Sequence, residues 1–422
     1  MAKFEIKEEF YLDGKPFKIL SGAIQYFRLH PDQWRDTLYN LKALGFNTVE
    51  TYIPWALHEP QEGQFQAEEM LDFEAYFKLV EEMGLYLIVR PTPYICAEFD
   101  FGGLPAWLLR YPSMRLRVNH PLFLEKVSHF YDWLFPKLLP YQSDQGGPIL
   151  MMQVENEYGS YAEDKAYMRS IAQMMKVRGV TVPLFTSDGT WIEALESGTL
   201  IEDDIFVTGN FGSQPKENTD NLRAFMERYG KKWPLMCTEF WDGWFSRWSE
   251  EIVRREAEDL AQDVKEMLQL GSMNLFLLRG GTNFGFISGC SARKTKDLPQ
   301  ITSYDFDAPI TEWGQPTEKY YAVQRVTHEV FPEFEQMEPI SRQAKAYGSF
   351  PLLGTANLLD VAADITEEIL LDYPQPMEQI GQNYGYILYR SDIKNQYHEE
   401  RLKALETHDR CHFYINQEHL AT

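Results

Sequence analysis

Short apolar runs alternate with amphipathic stretches from about residue 17 to about residue 330. Eight runs, at 17–24, 48–52, 85–90, 149–154, 182–186, 205–208, 234–238 and 274–278, read as continuously apolar, as strands covered on both faces should. Between them the spacing turns helical. Trp34, Leu38, Leu41 and Leu44 recur at intervals of three and four before Gly45; Phe73, Phe77 and Val80 do so before Gly84. Phe123, Val127, Phe130 and Leu134 form a third stripe, which Pro136 is expected to kink or end. Tyr167, Ile171 and Met174 precede Gly179, and Leu260, Val264, Met267 and Leu268 precede Gly271. Eight strand–helix units joined by right-handed crossovers predict a closed (β/α)₈ barrel, a TIM barrel, over residues 1–335. A doubly wound sheet would need a glycine-rich phosphate loop after its first strand. Gly280–Gly281 is half of such a motif, without the further glycine and helix.

Beyond residue 335 the character changes. Residues 336–370 read as a linker, and 371–422 as the start of an all-β, jelly-roll-like domain with strands at 384–389 (YGYILY) and 411–415 (CHFYI). A sandwich needs about seven strands, so this domain is expected to be truncated. Apolar surface left open on it is expected to favour a homo-oligomer.

Composition narrows the function. Of 422 residues, 27 are Phe, 24 Tyr and 10 Trp, enough flat rings to line a carbohydrate cleft as well as a large core. A net charge of −23 disfavours nucleic acid and anionic membranes and leaves a neutral substrate. The start, MAKFEIKEEF, has no apolar signal core, and no apolar run reaches about 18 residues. Cys96, Cys237, Cys290 and Cys411 are scattered without a CxxC pair. A reduced, cytoplasmic protein without structural zinc, metal or organic cofactor is therefore expected.

On a barrel, chemistry gathers where strands end. Those ends offer Gln25 and Tyr26; Tyr52 and Trp55; Arg90, Tyr94 and Glu98; Gln153, Glu155, Asn156 and Glu157; Ser187 and Asp188; Asn210; Glu239, Trp241 and Trp244; and Arg279. Two carboxylates on opposite strands, four and seven, among aromatics and amides, suit glycoside hydrolysis. One protonated carboxyl assists the leaving oxygen while an ionised one faces the anomeric carbon, about 5–5.5 Å away in a retaining enzyme. Glu239 follows an apolar run and precedes aromatics, a poor place for an idle charge. Glu155 and Glu157 share strand parity. The Asn156–Glu157 pair favours Glu157, since the amide can hold a sugar hydroxyl while the next residue reaches the glycosidic oxygen. Glu155 then becomes a buried supporting carboxylate, with Arg90 as its expected partner. The plainer alternative, ordinary strand-end charges, stays open at this level.

The segments GGPILMMQVENEYGSY (146–161), PTPYICAEFDFGGLPAWLLR (91–110), ETYIPWALHEP (50–60), MCTEFWDGWF (236–245) and GGTNFGF (280–286) resemble glycoside hydrolase family 35. They are most similar to its small bacterial intracellular β-galactosidases. The resemblance implies a retaining exo-β-galactosidase that removes terminal galactose through a covalent galactosyl-enzyme, with Glu157 as acid/base and Glu239 as nucleophile. It also implies galactose contacts at Tyr52, Cys96, Ala97, Glu98 and Asn156, with Trp241 and Trp244 on the aglycone side. Five positions depart from the family pattern. Ala56 stands for an asparagine, Phe276 and Phe306 for tyrosines, and Leu278–Arg279 for Phe-His. Each lost hydrogen bond is worth about 0.5–1.5 kcal/mol, which implies weakened turnover. An impaired galactoside-binding variant, or a barrel glycosidase for another sugar, are the competing readings.

Overall fold

The computed structural model describes residues 2–91, 93–393, 402–405, 407 and 409–422. Eight parallel strands close into a barrel: β1 (Leu20–Ile24), β2 (Thr48–Tyr52), β3 (Tyr86–Arg90), β4 (Ile149–Gln153), β5 (Leu184–Gly189), β6 (Phe206–Asn210), β7 (Met236–Trp241) and β8 (Ser272–Arg279). Each is followed by a helix: α1 (Trp34–Ala43), α2 (Phe73–Glu82), α3 (Pro121–Leu138), α4 (Lys165–Val177), α5 (Ile192–Gly198), α6 (Pro215–Arg228), α7 (Ala257–Leu270) and α8 (Glu318–Val330). The strands pair in chain order, and β8 closes on β1 through Met273 opposite Leu20. The expected (β/α)₈ barrel is therefore the fold.

The helical stripes are the buried faces. Trp34, Leu38 and Leu41 in α1, and Phe73, Phe77 and Val80 in α2, pack into one continuous core between helices and strands. Gly45, Gly84 and Gly179 cap their helices with left-handed backbone, as expected. Gly271 does not: its backbone is extended, and it is glycine because a Cβ there would collide with the Leu235 carbonyl. Pro136 lies inside α3, which runs on to Leu138. Its missing N–H falls in the last turn, where one lost bond does not end the helix.

Before the barrel, residues 4–16 form a three-stranded antiparallel sheet, and the first barrel strand starts at Leu20, later than the apolar run at 17–24 suggests. This sheet is the barrel floor. Phe4 and Phe10 pack with Ile19, Ile88, Met151, Phe185, Phe206 and Met236, near the strand starts. The Phe10 ring meets Phe206 edge-on at 5.5 Å.

After α8 the chain is more exposed. Residues 337–342 are stitched to α1 and α8 by Asn40 to Ile340, Gln324 to Met337 and Arg342 to Asp36. The stretch read as a linker contains a helix, Leu358–Ile365. Residues 384–389 form no strand. Gln382 and Asn383 hydrogen-bond this stretch and the loop after β2 instead, and Phe286 packs against Tyr384 and Tyr386. Phe413–Ile415 pairs with Glu418–Ala421 as a hairpin. Leu353, Leu370 and Tyr373 lie exposed. Among the described residues no helix is long and apolar enough to cross a membrane.

Truncating Phe10 removes a buried ring that packs the floor against Phe206 of the barrel. Phe10→Ala is expected to cost about 3–5 kcal/mol of stability. An unchanged denaturant midpoint in equilibrium unfolding would show that the sheet is an ornament and not a plug.

Candidate active site

The barrel interior becomes polar toward the strand ends. In its middle layer the Ser21 hydroxyl donates to Asn274 Oδ1, the Asn274 amide donates to the Thr238 carbonyl, and Glu50 lies buried alongside. Above it sits Arg90, at the end of β3 and fully buried. Its Nε donates to Gln153, its Nη2 donates to Asn156 Oδ1 at 2.5 Å and to Glu239 Oε1 at 2.6 Å, and its Nη1 lies 3.6 Å from Glu50 Oε1. One guanidinium thus ties strands β2, β3, β4 and β7 together.

Glu239 ends up as an acceptor for three donors. Besides Arg90, the Tyr52 hydroxyl donates to Oε1 at 3.0 Å and the Trp241 indole N–H donates to Oε2 at 3.1 Å. Across the β6–β7 pairing, Asn210 stands opposite Glu239 and donates through Nδ2 to Glu157 Oε1 at 2.9 Å. Burial and then the negative field of Glu239 raise the Glu157 carboxyl well above the ordinary glutamate range. Glu98 and Asp188 add to the same field.

Strand parity is not what separates Glu155 from Glu157. β4 ends at Gln153, and both glutamates have left-handed backbone, with φ of 58° and 45°. Glu155 turns away into a bidentate pair with Arg117, both bonds 2.9 Å, and accepts from the Tyr167 hydroxyl. Its partner is therefore Arg117 and not Arg90, because Arg90 is already committed across the mouth. Arg117 also donates to the Asn156 carbonyl at 2.9 Å and lies over the rings of Tyr94 and Tyr161. Asn156, held by Arg90 and donating to the Ile95 carbonyl at 2.7 Å, is the hinge between the two glutamates.

Cys96, Ala97 and Glu98 follow on the β3 loop. Burial raises both the Cys96 thiol and the Glu98 carboxyl, and Glu98 Oε2 is buried without a hydrogen-bond partner. Trp241 meets Trp244 edge-on at 5.6 Å, and Trp244, Phe306 and Phe276 continue the aromatic wall, with Phe276 edge-on to Phe306 at 5.9 Å. Backbone packs this wall tightly. A Cβ at Gly243 would collide with the Phe306 carbonyl, and one at Gly280 with the Tyr304 carbonyl. The Gly280–Gly281 pair is thus a close-approach site and no phosphate cradle.

Several strand-end candidates lie outside the mouth. Gln25 accepts from the Tyr52 backbone N–H at 2.8 Å, and Tyr26 bonds His58. Trp55 stacks on Phe130 and donates to Glu59, while Ala56 packs half-buried against the core. Arg279 points to the helical layer, donating to Thr37, Gln33 and the Glu312 carbonyl. A cavity of about 230 Å³ between Glu59, Phe65, Trp107, Lys126 and His129 contains neither Glu157 nor Glu239. Among the described residues no group of three His, Cys, Asp or Glu side chains could hold a metal ion. Glu50 and Arg117 are the members that strand-end reasoning misses. Glu50 is marked by being a charge inside an apolar strand, in phase with Tyr52; Arg117 carries no comparable signal.

The sequence matches the family described as glycosyl hydrolases family 35 over residues 9–330. It is 37% identical to beta-galactosidase 17 of Arabidopsis thaliana, over 98% of this chain and 61% of that one. It is 40% identical to a beta-galactosidase of Xanthomonas manihotis, over 91% and 64%. The chain thus spans about three fifths of the length of these relatives. Among solved structures, a beta-galactosidase from the psychrophilic Marinomonas ef1 superimposes with a TM-score of 0.54 at 12% identity, over 74% of this chain and 59% of that one, a likeness of fold alone. With the family match spanning the barrel and its mouth, the chain belongs to glycosyl hydrolases family 35.

Proposed function

We propose that this chain is a retaining exo-β-galactosidase acting on terminal β-linked galactose of di- or oligosaccharides. The observation that carries the reading is the unequal pair at the barrel mouth: the oxygens of Glu239 face three donors, whereas Glu157 faces one neutral amide, and burial and the field of Glu239 raise its carboxyl to about 8. Relatives named beta-galactosidase, matched over most of this chain, support galactose as the sugar.

In this reading Glu239 Oε2, which has one donor against two on Oε1, attacks the anomeric carbon. The glycosidic C–O bond breaks as Glu157 gives its proton to the leaving oxygen, and a galactosyl ester forms on Glu239. Water then attacks the same carbon, Glu157 takes its proton, and the ester bond breaks to free Glu239. The Glu98 oxygen that has no partner among the described residues is suited to accept from a sugar hydroxyl, and the Asn156 amide N–H not given to the Ile95 carbonyl to donate to one. Trp241 and Trp244 offer faces to the aglycone. Phe276 and Phe306 supply packing where hydroxyls would supply hydrogen bonds.

The two glutamate variants have distinct expected outcomes with a nitrophenyl β-galactoside. Glu157→Gln should lower kcat by about 10²–10⁴-fold. Glu239→Gly should abolish turnover, with external azide restoring it and yielding the α-galactosyl azide; full activity in Glu239→Gly would remove that residue from the mechanism. Calorimetric binding of galactose by the unmodified protein without turnover would select the impaired binding variant instead.

The rate should also follow a bell-shaped pH curve. Because the Glu157 proton is held more tightly than in a free glutamate, the basic limb should lie above neutrality. A profile flat between about pH 4 and about pH 9 is incompatible with paired carboxylates.

A further inference from the structure

Glu50 is a buried carboxylate of the polar interior with no place in the mechanism above. It is completely buried on β2, two residues before Tyr52, in phase with it along the strand. Its Oε2 accepts a long bond, 3.4 Å, from Gln25, the Asn274 amide lies against the same carboxyl, and among the described residues its Oε1 has no hydrogen-bond partner. The nearest cation is Arg90 Nη1, 3.6 Å away, itself without a hydrogen-bond partner. On its other side the same guanidinium holds Glu239 at 2.6 Å and Asn156, the neighbour of Glu157, at 2.5 Å. Two buried carboxylates thus divide one positive charge, and the division is unequal. A purely structural counter-ion for Arg90 is already present in Glu239, so Glu50 is superfluous for neutralising it.

Resting on the assignment of Glu239 and Glu157 above, we propose that Glu50 is a positioning residue of the glycosidase reaction: by sharing Arg90 with Glu239 it sets the charge felt by both reacting carboxylates. The groups facing Glu50 are few. They are Arg90 from β3, Glu239 from β7, Tyr52 on its own strand, Arg28 after β1 and Tyr76 from α2, with the amides of Gln25 and Asn274. Burial raises Glu50 to about 7, with Arg90 opposing the rise. Below neutrality Glu50 is a neutral acid and Arg90 belongs to Glu239. As pH rises Glu50 ionises, offsets part of the Arg90 charge, and so leaves Glu157 in a more negative surrounding that holds its proton. Glu50 therefore extends the protonated life of the acid/base toward alkaline pH.

Glutamine has the shape of the protonated acid, which makes Glu50→Gln the informative variant. It should match the unmodified enzyme in kcat/KM within about twofold on the acid limb, and its basic limb should move to lower pH. A move of half a unit is about a threefold loss on that limb. Superimposable profiles, or a loss by one factor at every pH, would overturn the proposal, the latter being what a merely structural residue gives. Should the variant fail to fold, the unmodified Glu50 can be followed by carbon-13 labelling of glutamate carboxyls. Its neutral-range titration should move to lower pH in Glu239→Gln, where Arg90 is no longer shared, and an unmoved titration would equally refute the idea. Azide rescue of Glu239→Gly stands apart from both tests, so failure of the nucleophile assignment is distinguishable from failure of the Glu50 role.

Discussion

The buried guanidinium of Arg90 is the interaction on which the mouth of this barrel depends. Taking an arginine out of water costs several kcal/mol unless its donors are met. Here Nε and Nη2 are met by acceptors from β4, the segment after it and β7, while Nη1 faces the Glu50 carboxylate of β2 at 3.6 Å, an arrangement that only the closed barrel brings together. The demand runs both ways. Barrel closure brings the acceptors to Arg90, and Arg90 in turn fixes Glu239 and Asn156 where the strands end. Tyr52 and Trp241 then complete the shell around Glu239 without needing any loop to close.

A second arginine solves the neighbouring problem. The segment leaving β4 must present one glutamate to the mouth and hide another two residues earlier. Arg117 takes the hidden one, Glu155, and the intervening carbonyl, and left-handed backbone at both positions supplies the turn that a strand would not. Glu157 is left with a neutral amide, Asn210, as its hydrogen-bond partner. A charged donor there would pull the proton off; an amide stabilises without doing so as strongly.

Much of the barrel is legible in the chain because its signals are local. A parallel strand covered on both faces is apolar along most of its length, and all eight such runs are strands. The amphipathic stripes of α1 to α4 and α7 are equally direct, whereas α6 is largely polar and its buried Leu222, Phe225 and Met226 make a sparse stripe. The floor sheet at residues 4–16 is obscure since three very short strands leave no periodicity. At the mouth, Glu157 and Glu239 stand out by their neighbours. The partner of Glu155 does not, since Arg117 lies on a loop whose path is set by stacking on Tyr94 and Tyr161. Residues 384–389 have strand composition but, among the described residues, no neighbouring strand to pair with, and composition alone cannot supply one.

The glycines behind the aromatic wall have a corollary. Gly243 and Gly280 bring main chain against main chain at Phe306 and Tyr304, so the contour of that side is drawn by peptide groups. Side chains hung on such a frame can be exchanged while the frame keeps its outline. Phe276 and Phe306 are rings on that frame, and replacing either leaves the main-chain contacts at Gly243 and Gly280 in place.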